Sequence, residues 1–296
     1  MSNYFLNNWP WNRFNDFISL KTDRFTVLKE LMQESGLQYV INIIDEKRHF
    51  FIPPPPSESE YSHGHETILV AHYDRSPGSP GANDNGAAVF ILIETAMKLI
   101  KDKISSWRII FTDKEELSEG EGIQDQGAYS LAMDLRRTEM ENARFYNFDA
   151  CGIGDTLIIS TTAEYFLEKE AGGEKLRASI KKLKENALEI ARNLRMEKVC
   201  LAPTPFSDDL GFLRAGIAVQ TIAMLPSEES SSLISVVRKE SRFTEVLVNR
   251  NLRNSVNIKK LVPLTWRNLN SPRDSYVMLT PQYYRTMMRF IEELCN

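Results

Sequence analysis

The sequence predicts an α/β fold: a three-layer α/β/α sandwich around a mixed, mostly parallel central sheet. Three observations carry that expectation. Short apolar runs bounded by polar residues recur along the chain and read as buried strands. Longer stretches with helical periodicity lie between them. The two kinds of segment alternate, which is the pattern of layered α/β domains. With 296 residues, 42% of them hydrophobic, the chain can bury a substantial core, and it is expected to form a single domain over 1–296.

The N-terminal segment, 1–36, reads as helical from residue 10 onward. Phe17, Leu20, Phe25, Leu28, Leu31 and Met32 recur there at helix-like spacings. Extended segments follow at 38–44 (QYVINII) and 48–53 (RHFFIP). The prolines at 53–56 cannot enter a sheet centre, because proline lacks the donor. With SESEYSHGH after them they read as an exposed loop. ETILVAHYD (66–74) is a buried strand, and a Gly/Pro/Ser loop leads from it to a buried helix over 87–100. SWRIIFTD (106–113), ARFYNFDA (143–150), TLIIS (156–160) and GIAVQTIAM (216–224) supply further strands. An amphipathic helix is expected over 173–195, with Leu176, Ile180, Leu183, Ala187, Ile190 and Leu194 on one face. Residues 226–262 are rich in Ser, Glu and Arg and read as an insertion. Its Leu233, Ile234, Val246 and Leu247 suit either a cap over the site or a subunit contact. Thr280-Pro281 opens the last helix, with proline in the first turn.

Composition narrows the function classes. Charged residues make up 26% and the net charge is −4, so no basic face and no nucleic-acid partner are expected. No run approaches the roughly 20 apolar residues of a membrane span. The start, MSNYFLNNWPWNRF, lacks a charged stretch followed by an apolar one, so no signal peptide is expected. Cys151, Cys200 and Cys295 lie far apart and read as reduced thiols. A cytoplasmic location follows as the expectation.

Four segments place acids or an imidazole at strand ends: AHYD (71–74), GANDNG (81–86), TDKEE (112–116) and NFDA (147–150). In open α/β sheets the site lies outside the carboxyl ends of the strands. Converging buried carboxylates repel one another unless a cation sits among them. A divalent metal removes that conflict and takes anionic oxygen and neutral nitrogen ligands. Each residue also has a plainer reading. His72 suits a satisfied structural histidine, Asp84 a helix N-cap, Glu115 and Glu116 a solvated loop pair, and Asp149 a turn.

These strings, in this order, resemble those of the M28 zinc aminopeptidases. The resemblance continues through SDDLGFLRAGI (207–217) and reaches NSPRDS (270–275). It spans roughly 65–295, leaving out the first 60 residues and 226–262. It implies a zinc-peptidase-like fold and a metal-dependent hydrolase that releases N-terminal residues from peptides or small N-terminal-amine substrates. By the same resemblance, His72 and Asp149 bind one metal, Asp84 bridges two, Glu116 binds the second, and Glu115 is the general base. The implied cofactor is Zn2+, as one or two ions, with Co2+ or Mn2+ as alternatives. Asp74, two residues beyond His72, suits an orienting partner of the imidazole. Asp208 and Asp274 suit support of the site or contact with substrate. Tyr129 and Arg273 are candidate oxyanion donors.

The sequence departs from the family in one place. Where the family has a late metal-binding histidine, this chain has Asn270, and no histidine follows His72. Asp209 likewise replaces a histidine of the SDH type. His49, His63 and His65 all precede the motifs, and the last two read as loop residues. Three outcomes are open: weak coordination by Asn270, one metal on His72, Asp84 and Asp149, or a degenerate site in a non-catalytic binding protein. A glutaminyl-cyclase-like acyltransferase is the alternative within the fold. Such enzymes, by the same resemblance, hold one zinc through an Asp, a Glu and the late His.

Overall fold

A computed structural model of the protein describes residues 7–55, 66–168, 173–248 and 256–296. His63, His65 and most of the loop after the prolines lie outside the described residues. Eight strands form one sheet: β1 (Val40–Ile44), β2 (Lys47–Ile52), β3 (Thr67–His72), β4 (Trp107–Thr112), β5 (Arg144–Phe148), β6 (Thr156–Ser160), β7 (Val199–Ala202) and β8 (Val219–Leu225). Their order across the sheet is β1-β2-β4-β3-β5-β8-β6-β7. The run β4-β3-β5-β8 is parallel, as is β6-β7, while β1-β2, β2-β4 and β6-β8 are antiparallel. The mixed, mostly parallel sheet is the one the sequence predicts.

Alternation along the central strands builds both faces. Leu69 and Ala71 of β3, with Ile109 and Phe111 of β4, face the helices Ala87–Lys101, Glu174–Asn193 and Tyr284–Cys295 and the N-terminal helices. Ile68, Val70, Ile110 and Phe145 face the opposite layer, Gly127–Leu135 and Asp208–Arg214. Each fully buried aliphatic or aromatic side chain contributes about 1.5–3 kcal/mol. The helix Ala87–Lys101 is an unbroken run of helix formers and apolar residues. It stops at Lys103, whose φ of 59° lets Ile104 donate back to Leu99 O.

Three details differ from the sequence reading. The N-terminal helix is split into a 3-10 turn at Trp11–Arg13 and helices at Phe14–Ile18 and Arg24–Glu34. Ser19 leaves the helical region with ψ 129°, and Asp23 caps the next helix by accepting from Thr26 N at 3.1 Å. Leu20, placed in the helical pattern by its spacing, sits in that break and is 57% exposed. The segment from Ser227 folds into helices at Ser227–Lys239, Phe243–Val248 and Val256–Lys259. Its Leu233 and Phe243 bury in one cluster with Ala150, Ile158, Cys200 and Ala223. β7 and the helices Gly127–Leu135, Thr162–Glu168 and Asp208–Arg214 were not legible as elements. The strand has four residues, and the helices are short with small or polar residues at their starts.

Candidate metal centre

Register brings the site together. His72 of β3 pairs with Thr112 of β4, and Val70 pairs with Asn147 of β5. The parallel strands therefore deliver His72, the 113–116 loop and Asp149 to one end of the sheet. The loop after β3 returns at Ala82–Gly86, where it contributes Asp84. Asn85 Nδ2 donates to Phe148 O at 2.7 Å, which ties that loop to the residue before Asp149.

His72 is fully buried. Its Nε2 lies 3.0 Å from Asp84 Oδ1 and 3.8 Å from Asp149 Oδ1. Among the described residues, neither ring nitrogen nor Asp149 Oδ1 makes a hydrogen bond of good geometry; the carboxylates meet the ring as close charge contacts. Among the described residues, one donor atom each from His72, Asp84 and Asp149 falls within 4.8 Å of the others. Zinc bonds of about 2.0–2.2 Å at tetrahedral angles separate neighbouring donors by about 3.3–3.6 Å. The observed separations bracket that value, and one imidazole with two carboxylates is a zinc-type donor set. These residues fit the ion. Asp84 is not a helix cap, since the helix that follows it has no side-chain cap bond.

Asp74 lies behind the imidazole, its Oδ1 3.4 Å from His72 Nδ1. It also accepts from Glu115 N at 3.0 Å and Glu116 N at 2.9 Å. One carboxylate thus fixes both the histidine and the acidic loop. Burial alone would raise the Asp74 pKa, but His72 and those backbone donors outweigh it and hold the group below the usual carboxylate range. Burial would lower the His72 pKa, yet contacts with Asp149, Asp74 and Asp84 raise it well above its ordinary value. Asp274 is buried and holds the Asp84 loop by its backbone, accepting from Asn83 N at 2.8 Å and Asp84 N at 3.0 Å. Burial, with Asp84 nearby, pushes the Asp274 pKa up to about 7.

Glu115 and Glu116 point apart. Glu115 faces a cavity of about 150 Å³ that Asp84 and Asp149 also line. Gln126 Nε2 reaches Glu115 Oε1 at 3.4 Å. Glu116 turns to Ser76, whose Oγ donates to its Oε2 at 2.7 Å. The Asn270 carboxamide meets the same carboxylate. With its nitrogen toward Glu116, it donates to Oε1, to Oε2 at 3.1 Å and to Ser76 Oγ at 2.7 Å. Asp208 accepts from Thr112 and Asp209 from Thr221, both deep in the protein. Burial raises the pKa of each to about 7. Tyr129 packs against the second core cluster. Arg273 is exposed.

Sequence reasoning missed several contributors. Asn147 Nδ2 donates to Ser207 Oγ at 2.8 Å, and Ser207 in turn supports Asp149. Asn147 lies two residues before Asp149 on the same strand, which was an available signal. Ser76 lies in the loop between His72 and Asp84 but is one of several serines there, and Gln126 and Trp266 carried no signal, because each reaches the site from another segment of the chain.

A sheet of this order, with convergent metal-type donors past the carboxyl ends of β3 and β5, defines an α/β protein with a candidate metal centre. The model of peptidase family M28 matches residues 57–245, so the chain belongs to that family. The match ends before Asn270 and Asp274. No curated protein sequence matches. Among solved structures, the chain is similar to the zinc aminopeptidase of Bacillus subtilis, with 19% identity and TM-score 0.53, covering 83% of this chain and 49% of that one. The chain thus spans about half the length of that enzyme. It is also similar to the glutaminyl cyclase of Porphyromonas gingivalis, with 15% identity, TM-score 0.61 and 99% and 96% of the two chains covered. A Zn-dependent exopeptidase of Parabacteroides distasonis matches with 14% identity, TM-score 0.59 and coverage of 96% and 95%. No helix among the described residues is long and apolar enough to cross a membrane.

Proposed function

We propose that the protein is a mononuclear metal-dependent aminopeptidase, with Zn2+ held by His72, Asp84 and Asp149 and with Glu115 as general base. The convergence of those three donors beside Glu115, in the wall of one cavity, carries the reading. When bound, zinc would lower the pKa of water toward 7 and polarise the scissile carbonyl. Glu115 takes the proton from the attacking water and passes it to the leaving amine. Asp74 keeps the imidazole oriented, and Asp274 keeps Asp84 in place through the backbone.

One ion rather than two is favoured by the Asn270–Glu116–Ser76 contacts. A carboxylate already satisfied by an amide and a hydroxyl has donors where a second cation would need ligands. The cavity is walled by Phe206, Leu247, Trp266 and Leu269. A cavity of roughly 150 Å³ takes a benzene-sized group. That is room for one apolar side chain of Leu or Phe size, the N-terminal residue of a peptide. Three buried, unbridged cysteines support a reducing, cytoplasmic setting.

The test combines a metal count with release of amino acids from a peptide library. One zinc per chain is expected, with Glu115→Gln retaining zinc and losing about 10²–10⁴ in turnover. Failure to bind zinc, or full turnover by the variant, refutes the assignment. The nearly full mutual coverage with a glutaminyl cyclase favours a second reading, an acyl transfer that closes N-terminal Gln on itself. Pyroglutamate from Gln-peptides, with no free amino acid released, would select it.

A further inference from the structure

Two arginines join the N-terminal segment to the loop between His72 and Asp84. Arg24 is 4% exposed and reaches into that loop from the helix Arg24–Glu34. Its Nη1 donates to Tyr73 O at 3.1 Å and Asp74 O at 2.8 Å. Its Nη2 donates to Pro80 O at 2.8 Å and Gly81 O at 2.6 Å. The first pair lies where the chain leaves β3, and the second where it returns toward Asp84. Arg75 crosses the other way, from the loop to Ile18 O (3.1 Å), Ser19 O (2.8 Å) and Thr22 O (3.1 Å).

The fit leaves no slack. Gly81 has φ 60°, and a Cβ there would lie 2.6 Å from Arg24 Nη2 and 2.5 Å from Asp84 O. The guanidinium also lies over the Phe17 ring, 4.5 Å from its centroid. The charges of Asp74, Asp84 and Asp274 act against the cost of its burial. Arg24 and both N-terminal helices precede the stretch that the family model matches.

We infer that Arg24 is a positioning residue for the metal centre, which couples docking of the N-terminal helices to zinc affinity. By bonding both stems of the 73–81 loop, its planar fork fixes the distance between His72 and Asp84. Arg75 holds the outer part of the same loop. A lysine keeps the charge but cannot span two carbonyl pairs. Coupling of this kind is reciprocal: whatever docking contributes to zinc affinity, zinc contributes to docking. The inference rests on the metal reading proposed above.

The experiment measures zinc dissociation constants by chelator competition for the wild type and Arg24→Lys, with circular dichroism as the check on folding. The variant is expected to bind zinc about 10–100-fold more weakly. A purely structural arginine would lower the melting temperature and leave zinc affinity unchanged, and that result overturns the inference. Hydrogen exchange on the wild type provides a second arm that needs no variant to fold. Saturating zinc is expected to slow exchange in 14–34, and identical rates with and without zinc overturn the inference. Absence of zinc binding by the wild type instead refutes the metal reading itself.

Discussion

Acid should destabilise this protein through His49. The side chain is fully buried on β2. Its Nδ1 accepts from Asp113 N at 3.3 Å, which places the ring proton on Nε2, where none of the described residues accepts it. Protonation would set a new Nδ1–H against the Asp113 N–H. Burial first, and the Lys47 charge second, lower the His49 pKa from 6.5 to about 4. Between those values the unfolded chain binds the proton and the folded chain does not. The stabilising contribution is therefore complete above pH 6.5 and is lost as pH falls toward 4. Linkage at about 1.36 kcal/mol per pKa unit gives a full loss of about 3 kcal/mol, with about 2 kcal/mol gone by pH 5. Urea titrations of metal-free protein at pH 8 and pH 5 measure it, with His49→Asn as the reference that keeps an acceptor and does not titrate. The wild type should lose about 2 kcal/mol more than the variant between the two conditions. Parallel pH profiles would refute the reasoning. Since Asp113 opens the loop that carries Glu115, the same protonation should also disturb the proposed base.

Two further substitutions probe the site. Asn270→His replaces the amide beside Glu116 with an imidazole and should raise zinc from one ion per chain to two, read by elemental analysis; identical stoichiometry in the two proteins counts against the single-ion reading. In Gly127→Ala the new Cβ would lie 1.7 Å from Asp113 O and 3.1 Å from His49 Cε1. The clash should cost about 1–3 kcal/mol by thermal melt and lower turnover by moving the 113–116 loop. An unchanged melting temperature would mean that the loop yields freely.

Local pattern made most of the fold legible. The apolar runs at 66–74, 106–113 and 143–150 are buried strands, as their lack of polar alternation requires. The amphipathic helix at 173–195 was readable from spacing, and the buried helix at 87–100 from its long apolar run. Short elements were not. Val199–Ala202 is a strand because β6 supplies its hydrogen bonds, and no four-residue window signals that. Leu20 has helix-like spacing but falls where Asp23 starts a new helix, so its position is set by a cap rather than by periodicity.

The sequence by itself determined which side chains are available for chemistry: an imidazole and several carboxylates at strand ends, with an asparagine where the resemblance leads one to expect a late histidine. Only the tertiary structure decided which of them meet. Parallel register put His72 beside Asp149 (3.8 Å), and the loop returning at Ala82–Gly86 brought Asp84 to 3.0 Å from the imidazole, while Glu116 was drawn to Ser76 and Asn270. Arg24 could not be singled out from sequence. Its partners are backbone carbonyls about fifty residues away, and backbone acceptors leave no mark in the residue types that surround them.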